Sequence, residues 1–370
     1  MLIRDLRTVI VDAERGRTWL FIEVHTDAGL VGVGEASQSR SDSGVAEQVS
    51  ALRSHYVDQD PLDLIERSTA SLLRTPFAGR IRAAAVSGIE QALWDLVGKA
   101  TGQPVYRLLG GKLRDRIRLY ANLNAAKRSD SPEELAQTAA RAVAEGFTAV
   151  KIYPFGQFER TGRAPGTPLT REERSAAIDR VRAVREAIGP YVDLLTDWAW
   201  ALLPADARDV AVALEPFDLY WIEEPYVTCS PQPLTELRSR LLPRLAAGEQ
   251  LTRLRDFAAL FEAGAIDVAM PDVKWIGGIS GLRKVATLAE SRDVEIAPHN
   301  MSGPVATAAS LQVAVGLSNC ALLEYCWGAV PWRNPLVRDS ETIVDGHLVL
   351  GKRPGLGIDW DGHLARRHAP

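Results

Sequence analysis

Apolar and polar positions alternate through "WLFIEVHTDAGLVGVGEA" (residues 19–36), and the alternation breaks at Asp27-Ala28-Gly29-Leu30. That pattern predicts two strands joined by a tight turn. In "AAAVSGIEQALWDLVGKATG" (83–102) the period changes: Val86, Ile89, Leu93, Leu96 and Val97 recur at helical spacing ahead of Gly102, predicting one long helix closed by glycine. Residues 1–115 thus read as a compact α+β unit. From there on, short apolar runs alternate with helical patterns, and strands are expected near 118–123, 147–153, 192–197, 219–224, 244–249, 266–272, 294–299 and 321–325. Eight strand–helix units point to a (β/α)₈ barrel, with a doubly wound sheet as the other architecture that alternates in this way.

The ends of the runs favour the barrel. Asp197, Glu223 and Glu249 each close an apolar strand, 26 residues apart, and Asp272, His299 and Glu324 follow at intervals of 23, 27 and 25. One such residue alone reads as a helix cap or a solvated loop charge. Six in phase put ionisable groups at the C-terminal ends of six successive strands, where a barrel collects its chemistry. Within "YWIEEPY" (220–226), period-two alternation sends Leu219, Trp221 and Glu223 to one face and Ile222 and Glu224 to the other. The adjacent carboxylates make each other harder to ionise unless something cationic faces them.

Composition narrows the function class. The 370 residues are 46% hydrophobic and 24% charged, with a formal net charge of −4. Both signs are mixed along the chain and no basic block matches a phosphate backbone, so nucleic acid is not an expected partner. Cys229, Cys320 and Cys326 lack disulfide or zinc spacing, which suits a reducing cytoplasm. The first residues, "MLIRDLRTVIVDAERG", build no apolar stretch of signal or membrane-spanning length, so the mature chain is expected to begin near Met1 without a membrane partner. "GLVGVGEAS" lacks the spacing of a dinucleotide fingerprint. "WIGGISG" (275–281) opens a helix whose amides suit an anion.

Taken together, "SGIEQALWDLVGK", "VKIY", "WIEEP", "AAGE", "MPDVKWIGGIS", "APHN", "LLEY" and "PGLGIDW" resemble the enolase superfamily in its mandelate racemase and muconate lactonizing enzyme branch, over nearly the whole chain. The resemblance implies a modified TIM barrel, (β/α)₇β, at about 116–330, under an N-terminal α+β capping domain (1–115) that the tail at about 331–370 completes. It makes Asp197, Glu223 and Glu249 the ligands of one Mg²⁺, which Mn²⁺ can replace. Three carboxylates without thiolate or imidazole suit such a hard cation. Glu224 is then expected to support the site through a cationic neighbour. The resemblance also makes His299 the base and Asp272 the residue that orients it. Glu324 becomes the acid that hydrogen-bonds the substrate carboxylate, which requires it to be protonated.

Two positions depart from well-known members of the branch. Lys151-Ile152-Tyr153 stands where many carry Lys-x-Lys, and Asp197-Trp198-Ala199 stands where galactonate-type dehydratases carry Asp-x-His. Only the His299 face is then clearly equipped with a base, with Lys151 polarising the substrate carboxylate and Tyr153 or protonated His299 donating a proton. The stretch "APHNMSGPVATAAS" resembles that of galactonate-type sugar-acid dehydratases. The expected activity is therefore Mg²⁺-dependent dehydration of an aldonate or aldarate through an enediolate to a 2-keto-3-deoxy acid. An epimerase or cycloisomerase and a catalytically silent sugar-acid binder are the alternatives. Trp19, Arg40 and Asn300 are the expected substrate contacts, and the loop at 153–170 with Arg160 and Arg163 either covers the site or is an exposed loop without contact to substrate. Trp198, Trp200 and Trp327 either line the pocket or fill the barrel mouth. The partner is a small carboxylate, and a homo-oligomer is expected.

Overall fold

A computed structural model describes residues 1–14, 16–38, 41–66, 79–156, 167–226, 230–338 and 340–370. The predicted strand pair is β2 (Thr18–Thr26) and β3 (Val31–Glu35), joined where Gly29 adopts φ +75° and Thr26 N–H donates to Leu30 O at 3.1 Å. A further strand, β1 (Ile3–Asp12), pairs antiparallel with β2. Its inward residues Ile3, Leu6, Val9 and Val11 are buried but not evenly spaced, so the sequence carries no clean period-two signal there. Helices α1 (Asp42–Leu52) and α2 (Arg80–Thr101) pack on this sheet, and α2 ends on Gly102 at φ +67° as the pattern predicts. The glycines of "GLVGVGEAS" serve this packing. A Cβ at Gly32 or Gly34 would lie 2.1 or 1.9 Å from a carbonyl oxygen of α2, so only glycine lets the strand come so close.

All eight predicted barrel strands are present: β4 (Arg116–Asn122), β5 (Ala149–Ile152), β6 (Asp193–Asp197), β7 (Leu219–Glu223), β8 (Arg244–Ala247), β9 (Val268–Ala269), β10 (Glu295–Ile296) and β11 (Leu322–Tyr325). They pair in parallel in sequence order from β4 to β10, and β11 returns to pair in parallel with β4. An Ile296–Cys320 bridge closes the remaining gap. The connections carry α3 (Pro132–Ala144), α4 (Arg171–Ile188), α5 (Pro204–Leu214), α6 (Pro231–Arg238), α7 (Leu254–Glu262), α8 (Gly278–Glu290) and α9 (Pro304–Ala314). The connectivity is therefore (β/α)₇β. After β11 the tail forms a hairpin, β12 (Ile343–Val344) and β13 (His347–Val349), whose second strand pairs antiparallel with the start of β4. Inside the barrel, Tyr120, Leu195, Trp221, Val268, Met270 and Leu322 form a separate apolar cluster that floors the site. Among the described residues no helix is long and apolar enough to cross a membrane.

Buried carboxylates of the N-terminal unit fasten it to the barrel. Glu90 of α2 accepts from the N–H groups of Ile279 (2.7 Å) and Ser280 (2.9 Å) at the start of α8, and from Trp94 Nε1 (2.9 Å). The anion that suits the "WIGGISG" amides is thus the protein's own. Gly278, at φ +70°, leaves room for it, since a Cβ there would lie 1.8 Å from Glu90 Oε2. Glu35 does the same at α9, accepting from Gly303 N–H (2.7 Å) and Ala306 N–H (2.9 Å). Asp95 joins Val33 N–H (3.0 Å) to Leu356 N–H of the tail (2.9 Å).

Burial pushes the Glu90 carboxyl up to about 7, against its hydrogen bonds from Ser280, Ile279 and Trp94. Folding therefore takes up a proton between the ordinary glutamate range and pH 7, so this group's contribution to stability falls as pH rises through that window. Urea unfolding at pH 5 and pH 7.5 should show that Glu90→Gln removes up to about 3 kcal/mol of the pH-dependent loss. An unchanged pH slope in the variant would mean that Glu90 is ionised throughout.

Candidate metal centre and active site

Parallel register brings the first two carboxylates together, because Asp197 and Glu223 are direct partners at the ends of β6 and β7. Glu249 lies two residues beyond β8 and joins them. Each of the three buried side chains offers an oxygen, and these oxygens all lie within 4.8 Å of one another. Lys151 reaches in from β5. Its Nζ lies 2.5 Å from Glu223 Oε1, 2.8 Å from Glu324 Oε1 and 3.5 Å from Asp197 Oδ2. Burial pushes Glu223 well above the usual carboxylate range. The short Lys151 contact by itself would lower it, but burial and the charges of Asp197, Glu324 and Glu249 outweigh one lysine. Burial likewise raises Glu249, against the opposing charge of His299. A cluster of hard oxygens with too little positive charge fits a divalent cation such as Mg²⁺ or Mn²⁺.

His299 stands beside this cluster. Its Nδ1 is 2.7 Å from Asp272 Oδ2, and its Nε2 faces Glu249 Oε2 at 3.3 Å and Glu324 Oε2 at 3.8 Å. Pairing to Asp272 fixes the tautomer and leaves Nε2 as the working nitrogen. Burial lowers the pKa of His299, but Glu249, Glu324 and the Asp272 hydrogen bond bring it out above the ordinary imidazole value. Asp272 is held by Lys274 as well, through Nζ at 2.8 Å and the backbone N–H at 2.7 Å. Burial would raise Asp272, yet Lys274 and His299 bring it down to about 2. Lys274 also contacts the Ser302 hydroxyl, tying the loop after His299 to the loop after β9.

One expectation is overturned and a second is opposed. Among the described residues Glu224 has no cationic partner: its Oε1 accepts from Gly248 N–H (2.6 Å) and Glu249 N–H (3.2 Å), and its Oε2 from Trp200 Nε1 (3.0 Å). At φ +40° it has left the strand geometry that period-two reasoning assumes. Its carboxylate turns along the strand ends to hold the Gly248–Glu249 loop, and burial with the charge of Glu249 raises it to about 8. The surroundings of Glu324 work against the protonated form expected of it: burial favours that form, but Lys151, His299 and the Asn300 N–H bring its pKa down to about 2.

Lys151 is buried, yet Glu223 and Glu324 carry its pKa well above its ordinary value, which favours the charged form. Burial and nearby carboxylates also push the Tyr153 phenol far up, and its oxygen lies 3.1 Å from Asn122 Nδ2. Asn300 is fully buried. Its backbone N–H meets Glu324 Oε2 at 2.6 Å, and its Nδ2 donates to Thr307 Oγ1 and Glu324 O. Trp19 packs edge-on against Trp332 and Phe21, with the Arg333 guanidinium 5.6 Å from its ring. This puts it behind the 300–303 loop, where it meets Gly303. Arg40, Arg160 and Arg163 lie outside the described residues. Trp198, Trp200 and Trp327 donate to Thr196, Glu224 and Glu145 respectively, which makes them framework.

Two residues of the site were not anticipated. Asn122 Nδ2 bonds Glu324 Oε1 at 2.7 Å as well as Tyr153. It ends β4, so the strand-end rule that found the ionisable residues would have found it had it been extended to amides. Lys274, two residues past Asp272, carried no separable signal, since an isolated lysine in a loop is usually solvated.

Residues 8–110 match the mandelate racemase / muconate lactonizing enzyme N-terminal domain, and residues 134–364 match the enolase C-terminal domain-like family. Over 376 residues the chain is 32% identical to a D-xylonate dehydratase of Haloferax volcanii, covering 99% of this chain and 88% of that protein. It is 35% identical over 378 residues to a D-galactonate dehydratase family member of Streptomyces bingchenggensis, covering 95% and 90%. The crystal structure of a mandelate racemase/muconate lactonizing enzyme from a Sulfitobacter species superposes with a TM-score of 0.90 at 29% identity, covering 100% of this chain and 96% of that one.

The geometry separates the two glutamates of "WIEEP" by experiment. Glu223→Gln or Glu249→Gln should weaken Mg²⁺ binding by more than about 100-fold, whereas Glu224→Gln, which keeps one acceptor oxygen, should weaken it by about 10-fold. Calorimetric titration reads both. Equal losses at all three positions would show that the ligand set is wrong.

Proposed function

This chain belongs to the mandelate racemase and muconate lactonizing enzyme branch of the enolase superfamily, and on that basis we propose that it is a Mg²⁺-dependent sugar-acid dehydratase that yields a 2-keto-3-deoxy acid. The observation that carries the reading is that an imidazole reaches the carboxylate cluster from one side only among the described residues. His299 Nε2, aligned by Asp272, faces the space between Glu249 and Glu324, while Lys151 on the far side of Glu324 is favoured in its charged form. The relatives named as D-xylonate and D-galactonate dehydratases support the same class of substrate.

Asp197, Glu223 and Glu249 would hold the cation. When bound, Mg²⁺ supplies positive charge beside the substrate carboxylate, which makes loss of the α-proton less costly. His299 Nε2 takes that proton, and Asp272 stabilises the imidazolium that results. The enediolate left behind lies near Lys151, whose charge is already in place before the reaction and needs no reorganisation. His299 then returns its proton to the β-hydroxyl as the C–O bond breaks. One C–H and one C–O bond are lost, water leaves, and the enol product becomes the 2-keto acid. Tyr153 is a poorer donor, since its neighbouring carboxylates hold the phenol proton tightly.

A screen of aldonates and aldarates with Mg²⁺ for 2-keto acid formation tests the activity itself. His299→Asn should lower turnover by more than about 1000-fold with Mg²⁺ still bound, and Asp272→Asn should cost less, because the base is then misaligned and not missing. In deuterium oxide, substrate recovered from the parent enzyme should contain none of the α-epimer. Steady accumulation of that epimer without a 2-keto acid would replace the dehydratase reading with an epimerase that uses a second base.

A further inference from the structure

Arg80 is the first residue of α2, and nothing in the mechanism above uses it. Its position is unfavourable on three counts. A cation at a helix N-terminus opposes the helix dipole, and the first turn of α2 contains no acidic residue to offset it. The guanidinium is partly buried, and burial lowers its pKa against the opposing charges of Glu249 and Asp272. Its Nε is enclosed without a hydrogen-bond acceptor, and among the described residues the side chain forms no ion pair. Among the described residues, the contact that places this side chain is with Trp275: its Cζ lies 3.5 Å from the centre of that ring.

That contact aims the group. Trp275 is buried and borders the site, since its ring centre lies 5.5 Å from that of the His299 imidazole. The two steps of 3.5 and 5.5 Å set the farthest separation of guanidinium from imidazole at about 9 Å. Four carbon–carbon bonds of about 1.5 Å each carry the far end of a six-carbon acid roughly 5 Å past the α-carbon that meets His299. A hydrogen bond to the guanidinium adds about 2.9 Å. The far end of such a substrate therefore falls within reach of Arg80. Stacking on an indole occupies the face of a guanidinium and leaves its planar edge of N–H donors for a ligand, an arrangement matched to a carboxylate.

We infer that Arg80, stacked on Trp275, binds the distal end of the substrate and selects an acid with a second, terminal carboxylate over the aldonate of the same configuration. The inference rests on the dehydratase reading for the placement of the substrate's first carboxylate and α-carbon. A terminal carboxylate meets the guanidinium edge directly, as no carboxylate among the described residues does, whereas a terminal hydroxyl accepts one hydrogen bond without neutralising the charge.

The test uses matched pairs of six-carbon acids, galactarate with galactonate and glucarate with gluconate, on the Mg²⁺-loaded protein. Turnover is read as kcat and KM, and binding of every acid that is not turned over is read by calorimetry. In at least one pair the diacid should be preferred by about 10-fold or more. Arg80→Gln should lose about 30-fold or more on that diacid, chiefly in KM or Kd, and less than about 3-fold on its monoacid partner. Arg80→Lys, which keeps the charge but loses the planar fork, should fall between, and circular dichroism with thermal unfolding shows that both variants are folded. Equal losses on diacid and monoacid, or no diacid preference in any pair, would overturn the role given to Arg80. Arg80-dependent binding of a diacid without turnover of any acid would instead sink the dehydratase reading and leave the Arg80 assignment standing.

Discussion

Four buried carboxylates, Asp197, Glu223, Glu249 and Glu324, share a single lysine at the mouth of the barrel, and much of the site's behaviour follows from that imbalance. Burying an ionised carboxylate without compensation costs several kcal/mol. Lys151 touches three of the four but neutralises only one charge. The protein divides the cluster accordingly. On one side Lys151, Asn122, the Asn300 N–H and His299 surround Glu324 and bring its pKa down to about 2. On the other, burial drives Glu223 and Glu249 upward. The second half is a deficit of positive charge shaped like a cation site. Its complement is a small divalent ion with oxygen ligands.

The same economy of charge holds the two parts of the chain together. Glu35 and Glu90 come from the N-terminal unit and end on the first turns of α9 and α8, whose free N–H groups and dipoles favour an anion. Those helices follow the strands that deliver His299 and Asp272, so the N-terminal unit is fastened at the two segments that carry this hydrogen-bonded pair. Gln91 of α2 extends the link by donating to Val273 O, one residue past Asp272, at 3.3 Å. On the opposite side of the 302–307 loop, Arg333 of the tail binds Ser302 O and Thr307 Oγ1 while paired with Glu341. Loops of this kind would otherwise be among the more mobile parts of a barrel. Here they are held from both ends of the chain.

The sequence by itself determined the strand count, the strand-end chemistry and the long capping helix. Each depends on a local pattern with a fixed period: apolar runs set the strands, and a spacing of one βα unit set Asp197, Glu223 and Glu249 in phase. The family resemblance supplied what spacing could not, namely the missing eighth helix and the roles expected of His299 and Asp272. The tertiary structure decided which way the chain turns once a strand ends. Glu224 leaves the strand at a positive φ and binds the Gly248 and Glu249 amides, so alternation could pick out the glutamate that joins the carboxylate cluster but not its neighbour's partner. The pKa shifts of Glu324 and Lys151 were also beyond the sequence. Both follow from distances between strands far apart in the chain, and a pKa inside a protein is the balance of burial against such neighbours. Arg80 shows the same limit: nothing local marks an arginine at the start of a helix until folding stacks it on Trp275, from a different domain.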